Sequence, residues 1–262
     1  MFYCGIDVGS TTCKILVIDD MKQVKYKHAL MVGGDPAGII TTILGNAIKG
    51  LLVKPKDLQN IVLTGRNSEY VSFKKMKKES ELKTLAVGIH AIAPSVRTII
   101  DTGSFTNKVI RINSQGQVVD YMTNDKCAAG AGMFLELVGK SLDLPIADIG
   151  TIALSSHNPV PITSQCSIFA ESEVIYLMND GASVPDIAAG ACNSVVGRLI
   201  PLLAKVGVEK DVVLTGGVGK NLMVLQVLEK QLGVPLKRYE LDPQYIGAFG
   251  AALLAQYNAL KQ

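Results

Sequence analysis

The chain has 262 residues, and its 26 Lys and Arg residues against 23 Asp and Glu residues give a formal net charge of +3. A chain of this length can form two lobes, each with a buried core of its own. The near balance of charge does not indicate nucleic acid or an anionic membrane as a partner. The first residues lack the basic region of a signal peptide, and no stretch is expected to be apolar enough to span a bilayer. We therefore predict a cytoplasmic protein.

The first third of the sequence predicts three strands, a helix, a fourth strand and two further helices. The predicted strands occupy residues 2–6, 13–18, 24–32 and 61–64, and the predicted helices occupy residues 36–49, 69–78 and 81–92. Between the first two strands lies a Gly-Ser-Thr-Thr turn at residues 9–12, which is typical of a hairpin. Asp35 and Pro36 favour the start of the first helix, since Asp caps a helix and Pro fits its first position.

The segment that begins at Thr98 repeats the amino-terminal pattern. The matching residues, all at one separation, are Asp7 and Asp101, Gly9 and Gly103, Ser10 and Ser104, Thr12 and Thr106, and Lys14 and Lys108. A third strand is again predicted, over residues 118–123. Because these identities fall in the same strand–turn–strand pattern, the sequence indicates a duplicated chain.

These two turns have the composition of a phosphate clamp. Backbone N–H groups in a Gly-Ser-Thr hairpin can converge on phosphate oxygens, and an Asp at the end of the preceding strand can orient water bound to Mg²⁺. A single Asp-x-Gly-Ser would be explained as an ordinary hairpin turn, since these residues favour turns. Two copies in register favour the clamp.

A glycine-rich segment near the carboxyl end is a third candidate for a nucleotide contact. An apolar strand over residues 212–214 leads into Thr215-Gly216-Gly217-Val218, and a helix follows to about Leu232. Glycines there let the backbone approach a flat or anionic ligand, although a tight strand-to-helix turn needs the same residues. A last helix, from about residue 242, is rich in small residues and suited to close packing.

The cysteines are odd in number and widely scattered. They are Cys4, Cys13, Cys127, Cys166 and Cys192. This pattern argues against a secreted disulfide framework and leaves reduced thiols or metal ligands. Cys127 and Cys166 each directly precede a predicted helix, over residues 128–142 and 167–178, whose amino-terminal end would stabilise a thiolate. The other three cysteines are interpreted as small apolar core residues.

Taken together, the two phosphate turns, the glycine-rich segment and the small-residue helix resemble the actin, hexokinase and Hsp70 ATPase superfamily. The resemblance implies an α/β fold of two duplicated, ribonuclease H-like (actin-like) ATPase lobes with a nucleotide cleft between them. The first lobe would cover residues 1–97, completed by a carboxyl-terminal helix over 245–262, and the second would cover residues 98–244. ATP or ADP with Mg²⁺ would be the ligand.

Two further segments are similar to the cysteine motifs of the activator components of 2-hydroxyacyl-CoA dehydratases, a family related to benzoyl-CoA reductase ATPase subunits. They are residues 124–132 (Asn-Asp-Lys-Cys-Ala-Ala-Gly-Ala-Gly) and 164–175 (Ser-Gln-Cys-Ser-Ile-Phe-Ala-Glu-Ser-Glu-Val-Ile). The resemblance implies a homodimer with one [4Fe–4S] cluster held by Cys127 and Cys166 of each chain. It also implies a low-potential ferredoxin or flavodoxin as electron donor and an iron–sulfur dehydratase or reductase as acceptor.

The resemblance assigns roles to individual residues. Asp7 and Asp101 would be catalytic and would bind Mg²⁺ through water. The phosphate and nucleotide contacts would come from Gly9, Ser10, Thr11, Thr12, Lys14, Gly103, Ser104, Gly216, Gly217, Val218 and Asn221. The second turn departs from the family pattern, since the usual Gln and second Asp are replaced by Phe105 and Thr106. Two alternatives therefore stay open: a small-molecule kinase on the same fold, and a non-hydrolysing nucleotide or redox sensor.

Overall fold

The strands and helices fall into two sets that each begin with three consecutive strands. The computed structural model describes residues 1–58, 60–74, 76–124, 130–163 and 167–260. In these ranges the strands are β1 (Tyr3–Val8), β2 (Thr12–Ile18), β3 (Val24–Met31), β4 (Asn60–Thr64), β5 (Met76–Lys78), β6 (Thr98–Thr102), β7 (Asn107–Ile112), β8 (Val118–Thr123) and β9 (Val212–Thr215). The α-helices are α1 (Pro36–Leu51), α2 (Glu81–Ile92), α3 (Ala131–Ser141), α4 (Ile146–Ala153), α5 (Ser167–Asn179), α6 (Val184–Val206), α7 (Leu222–Leu232) and α8 (Ile246–Ala259).

The chain forms two compact units. The first unit comprises Met1–Ser95, Ile112–Val118 and Tyr239–Gln262, and the second comprises Val96–Arg111 and Val119–Arg238. The first contains a five-stranded sheet of order β3-β2-β1-β4-β5, and the second a four-stranded sheet of order β8-β7-β6-β9. In each sheet the first strand of the set pairs antiparallel with the next strand and parallel with a later one.

The central strands β1, β2 and β4 of the first unit's sheet are mostly buried. Alternate residues of β1, such as Ile6, pack with the apolar face of α1, whereas Tyr3 belongs to a second cluster formed with α8. A strand that is covered on both faces has a continuous run of apolar residues. For this reason the sequence of β1 does not alternate between apolar and polar residues. The side chain of Asp35 caps α1 by accepting a hydrogen bond from the Gly38 N–H at 2.9 Å, as the sequence predicted.

Small residues let α8 lie directly against backbone in the first unit. A Cβ atom at Gly5 of β1 would overlap the carbonyl oxygen of Ala248, and one at Gly250 would overlap the carbonyl oxygen of Thr84 in α2. The close approach brings the apolar side chains of α8, including Phe249 and Leu253, onto the sheet. The predicted small-residue helix therefore has a packing role.

The second unit buries its sheet against a group of helices. Its core contains Ile100 of β6 and Val109 of β7, together with Phe134 of α3, Leu199 of α6 and Leu228 of α7. Phe134 is fully buried, and the guanidinium carbon of Arg198 lies 4.0 Å from the centroid of its ring. The helices thus cover the strands that carry the second phosphate turn.

Helix α6 is long and apolar enough to cross a membrane by length and composition, which the sequence analysis did not expect of any stretch. Most of its apolar window, 61%, is buried inside the structure. Its buried residues belong to the core of the second unit. We therefore interpret α6 as a core helix, which passes the same test of composition as a membrane span.

The predicted helices differ from the structure in two places. The helix predicted over residues 69–78 is wrong, because this part contains a 3₁₀ turn (Arg66–Tyr70) and strand β5, whose Met76 pairs with Ile61 of β4. Pairing at the sheet edge here outweighs the helix propensity of a Lys-rich segment. The short helix α4 was not predicted. Helix α3 begins at Ala131, and its predicted start at residue 128 lies outside the described residues.

We expect Gly250→Ala to destabilise the protein by about 1–3 kcal/mol, because the new methyl group would force α8 away from α2. Gly45→Ala is the matched control, since a Cβ at this position of α1 would meet open space. This control should stabilise the protein by roughly 0.5–1 kcal/mol by restricting the unfolded chain. Urea denaturation followed by circular dichroism measures both changes. Equal stability of the two variants would contradict the packing described here.

Candidate functional site

The first phosphate turn joins β1 to β2 and carries an ion pair at its base. Asp7, near the end of β1, lies opposite Lys14 of β2, and Lys14 Nζ is 3.0 Å from Asp7 Oδ2. The two side chains are only 15% and 11% exposed, so the pair is little screened by water. The Gly9 N–H donates to the carbonyl oxygen of Thr12 at 3.0 Å and closes the turn.

The second phosphate turn has the same geometry in the second unit. Lys108 of β7 lies opposite Asp101 of β6, and Lys108 Nζ is 3.2 Å from Asp101 Oδ2. The Gly103 N–H donates to the carbonyl oxygen of Thr106 at 2.9 Å. Each turn has the same ion pair and the same backbone hydrogen bond, which confirms the duplication predicted from the sequence.

A second repeat, which the sequence analysis missed, lies beside each aspartate. Val-Leu-Thr-Gly occurs at residues 62–65 and again at 213–216. Thr64 is the parallel partner of Asp7, and Thr215 is the parallel partner of Asp101. In both copies the strand ends at the threonine, and a 3₁₀ turn begins just after the glycine. The self-similarity of four identical residues could have revealed this repeat.

The glycines of this second repeat are required by geometry. Gly65 and Gly216 have φ angles of 91° and 83°, which L-residues rarely adopt. A Cβ at Gly65 would overlap Oδ1 of Asp7, and one at Gly216 would overlap the carbonyl oxygen of Thr102. Gly65 therefore lets the chain pass directly beside Asp7 after β4 ends. Gly216 lets it pass beside Thr102, the residue after Asp101, where β9 ends.

Two polar side chains from distant parts of the first unit hold its phosphate turn. Asn67 Nδ2 donates to the carbonyl oxygen of Gly9 at 2.9 Å, and Gln244 Nε2 donates to Thr12 Oγ1 at 3.4 Å. Neither residue was among the predicted site residues. No local pattern identifies them, because each reaches the turn through the folding of the sheet and not through sequence proximity.

The glycine-rich segment after β9 has mixed local roles. A Cβ at Gly217 would meet open space, whereas Val218 is only 5% exposed and packs in the core. Asn221 caps α7, since its Oδ1 accepts a hydrogen bond from the Val224 N–H at 2.9 Å. The segment can therefore offer backbone at Gly216 and Gly217 to a flat ligand, while Val218 and Asn221 also stabilise the surrounding structure.

The predicted cluster ligands Cys127 and Cys166 lie outside the described residues. The described cysteines are buried, and burial raises the pKa of the Cys4 thiol above its usual range and those of Cys13 and Cys192 to about 12. Such thiols are protonated at neutral pH and are poor ligands. Within the described ranges, no three His, Cys, Asp or Glu side chains are grouped to hold a metal ion.

Residues 4–255 match the BadF/BadG/BcrA/BcrD ATPase family, and the chain belongs to this family. One similar relative is the (R)-2-hydroxyglutaryl-CoA dehydratase activating ATPase of Acidaminococcus fermentans. It is 41% identical over 267 residues, which cover 100% of this chain and 99% of the relative. A solved activator of the 2-hydroxyisocaproyl-CoA dehydratase from Clostridium difficile, with bound ADPNP, superposes with a TM-score of 0.93 at 32% identity, covering 100% of this chain and 96% of that one.

A more distant likeness concerns the fold alone. A ROK family glucokinase from Streptomyces griseus has a TM-score of 0.60 at 12% identity, covering 98% of this chain and 100% of its own. Together with the two-sheet α/β architecture, these neighbours confirm the predicted actin-like ATPase fold class. The predicted relationship to dehydratase activators is likewise confirmed.

We expect Lys108→Gln to weaken binding of Mg·ATP by roughly ten- to a hundredfold, because it removes a charge-assisted hydrogen bond beside the second turn. Isothermal titration calorimetry with a non-hydrolysable ATP analogue measures the change. Lys83→Gln is the control, since Lys83, in the first turn of α2, is half exposed and pairs with Glu79 just before the helix, so loss of this pair should leave affinity unchanged. Equal affinity of Lys108→Gln and the wild type would exclude a role for this pair in nucleotide binding.

Proposed function

We propose that the chain is an ATP-dependent activator that transfers single electrons to a 2-hydroxyacyl-CoA dehydratase or a related reductase. The observation that carries the proposal is the similarity to the A. fermentans activating ATPase, which extends over the full length of both chains. The repeated Asp–Lys hairpins support it, because they supply paired phosphate-binding turns of the kind an ATPase needs.

The nucleotide would be Mg·ATP, bound by residues of both turns and hydrolysed to ADP and phosphate. Asp7 and Asp101 would orient Mg²⁺-bound water, each held in place by its lysine. Phosphate contacts are assigned to Gly9, Ser10, Thr11, Thr12, Lys14, Gly103 and Ser104, and adenosine contacts to Gly216, Gly217, Val218 and Asn221. The ADPNP bound to the C. difficile activator supports a nucleotide of this class.

The electron carrier would be a [4Fe–4S] cluster shared by two chains. A cubane takes four thiolate ligands, the three described cysteines are buried protonated thiols, and Cys127 and Cys166 are the two that remain. Helix α5 begins at Ser167, so a helix amino terminus follows Cys166 directly and favours its thiolate form. When bound, the cluster supplies one-electron redox chemistry. A homodimer follows from the ligand count.

The partners follow from the same assignment. The electron donor would be a low-potential ferredoxin or flavodoxin, and the acceptor would be an iron–sulfur dehydratase or reductase component. The two lobes of the proposed ATPase would be residues 1–97 with 245–262 and residues 98–244. No nucleic acid or membrane partner is included in the proposal.

One observation favours a non-hydrolysing sensor as a second candidate. The second turn lacks the family's Gln and second Asp, and the Thr106 hydroxyl at that position accepts a hydrogen bond from Lys108 Nζ at 3.3 Å. Phosphate release from ATP, measured with reduced protein and a candidate dehydratase present, separates the two functions. Tight binding without turnover would favour the sensor, and turnover coupled to reduction of the partner would favour the activator.

We expect anaerobically purified protein to contain about four irons per two chains, since one cubane bridges them. Cys127→Ser should lose this iron, because it removes two of the four proposed ligands from the dimer. Cys192→Ala is the control. The Cys192 thiol is buried, donates to Asn221 Oδ1 at 3.7 Å and is not a proposed ligand, so the iron content of this variant should match that of the wild type. Iron and sulfide assays measure all three proteins. Unchanged iron in Cys127→Ser would refute the cluster assignment.

A further inference from the structure

The threonine that closes the first phosphate turn accepts a hydrogen bond from a residue far along the chain. Thr12 begins β2, and its carbonyl oxygen accepts the Gly9 N–H at 3.0 Å. Its side-chain oxygen, Oγ1, accepts a hydrogen bond from Gln244 Nε2 at 3.4 Å, across a separation of 232 residues. Among the described residues, the Thr12 hydroxyl makes no other hydrogen bond. The backbone of Thr12 therefore closes the turn, while its hydroxyl receives a donor from the carboxyl-terminal segment.

The direction of this hydrogen bond determines what the hydroxyl can bind. A threonine hydroxyl has one hydrogen to donate and two lone pairs that accept. Because the Gln244 amide donates to Oγ1, it occupies a lone pair and leaves the hydroxyl hydrogen for an acceptor. A phosphate oxygen is such an acceptor, and a hydrogen bond to a charged group is stronger than one between neutral groups. The bond between Gln244 and Thr12 therefore prepares the Thr12 hydroxyl to donate to an anion.

The second phosphate turn shows the same polarity, although a different residue provides the donor. Thr106 is the repeat counterpart of Thr12, and its Oγ1 accepts a hydrogen bond from Lys108 Nζ at 3.3 Å. Lys14, the counterpart of Lys108, is bonded to its aspartate, and in this first turn the donor to the threonine is Gln244. Two unrelated donors thus place a nitrogen against a threonine hydroxyl oxygen in both turns. The two turns share the polarity of the hydroxyl and not a particular partner.

The local structure around Gln244 fixes the position from which its side chain reaches the turn. Asp242 Oδ1 accepts a hydrogen bond from the Gln244 N–H at 3.0 Å, and the Asp242 carbonyl oxygen accepts one from the Tyr245 N–H at 2.9 Å. Helix α8 begins directly afterwards at Ile246, which is fully buried. A side chain that starts from such a fixed element is held in place more precisely than one on an unsupported loop.

We propose that Gln244 is a positioning residue that orients the Thr12 hydroxyl so that it donates to a phosphate oxygen of the nucleotide. The inference rests on the proposed function, since it takes Thr12 to contact phosphate. Gln244 acts through Thr12 and not by contact with the nucleotide. The first phosphate site thus includes a side chain from the segment that leads into α8.

Isothermal titration calorimetry of the full-length protein as purified, with a non-hydrolysable Mg·ATP analogue, tests the proposal. Gln244→Met keeps the length of the side chain but removes its donor, so it should weaken binding by about three- to tenfold, the effect of one hydrogen bond. In a Thr12→Val background the same change should alter affinity by less than about 1.5-fold, because the hydroxyl through which Gln244 acts is absent. An equal effect in both backgrounds would overturn the proposal.

Gln244→Glu tests the direction of the hydrogen bond. A carboxylate only accepts, so it would take the Thr12 hydroxyl hydrogen and turn it away from phosphate. The effect of the added charge should remain in the Thr12→Val background, and a further loss of at least about threefold should occur only when the hydroxyl is present. If the bond merely ties two segments together, the carboxylate preserves the tie. Purely additive effects of Gln244→Glu and Thr12→Val would therefore contradict the proposed orientation.

Gln226→Glu is the matched control for the change of charge. Gln226 is exposed on α7 in the second unit and makes no hydrogen bond within the described residues. Its affinity for the analogue should equal that of the wild type. A loss as large as that in Gln244→Glu would attribute the effect to total charge and would overturn the role of Gln244.

Other outcomes separate this inference from the proposed function. Wild-type affinity in Gln244→Met, together with weakened binding in Thr12→Val, would overturn the inference alone. Wild-type affinity in Thr12→Val would overturn the inference and the phosphate contact of Thr12. Absence of nucleotide binding by the wild type would refute the proposed function as well. If Gln244→Met does not fold, Gln244→Ala takes its place with the same expected results.

Discussion

The interaction on which the candidate site depends is the ion pair between an aspartate near the end of one strand and a lysine directly opposite it on the next strand. It occurs at Asp7–Lys14 and again at Asp101–Lys108, in both cases largely buried. A lone buried carboxylate is unfavourable, so each lysine stabilises the charge of an aspartate that lies at a largely buried strand end. In both units the turn beyond the pair begins with glycine and serine, whose small side chains leave room for an anion beside the backbone.

Much of this arrangement is encoded locally and could be predicted. The Asp-x-Gly-Ser pattern and the lysine seven residues after each aspartate lie in single hairpins, where sequence distance and spatial distance agree. The actin-like fold class was implied by a family resemblance, of which the repeated hairpin is one part. The helix expected over residues 69–78 was wrong because this segment is determined by a distant contact. Its strand β5 forms by pairing with β4 at the sheet edge, and local helix propensity does not reveal that pairing.

The supporting residues of the site could not be predicted because their partners are distant in sequence. Asn67 and Gln244 reach the first turn only after the sheet and the carboxyl-terminal segment are in place. A polar residue in a loop has many possible roles, and only the folded chain selects one. By contrast, the Val-Leu-Thr-Gly repeat was visible in the sequence as a self-match, and its meaning became clear from the parallel pairing beside each aspartate.

The placement of α8 has a consequence for the order in which the chain can fold during synthesis. The first unit takes most of its residues from the stretch Met1–Ser95, but one face of its sheet is covered by α8, which lies far later in the sequence. Strands β1, β2 and β4 therefore expose apolar side chains until α8 has been synthesised. The second unit, made mostly of one continuous stretch, can bury its core earlier. The amino-terminal part of the first unit, Met1–Ser95, is thus synthesised first, but its core is completed only after that of the second unit. We therefore expect this part of the nascent chain to need the most protection from aggregation.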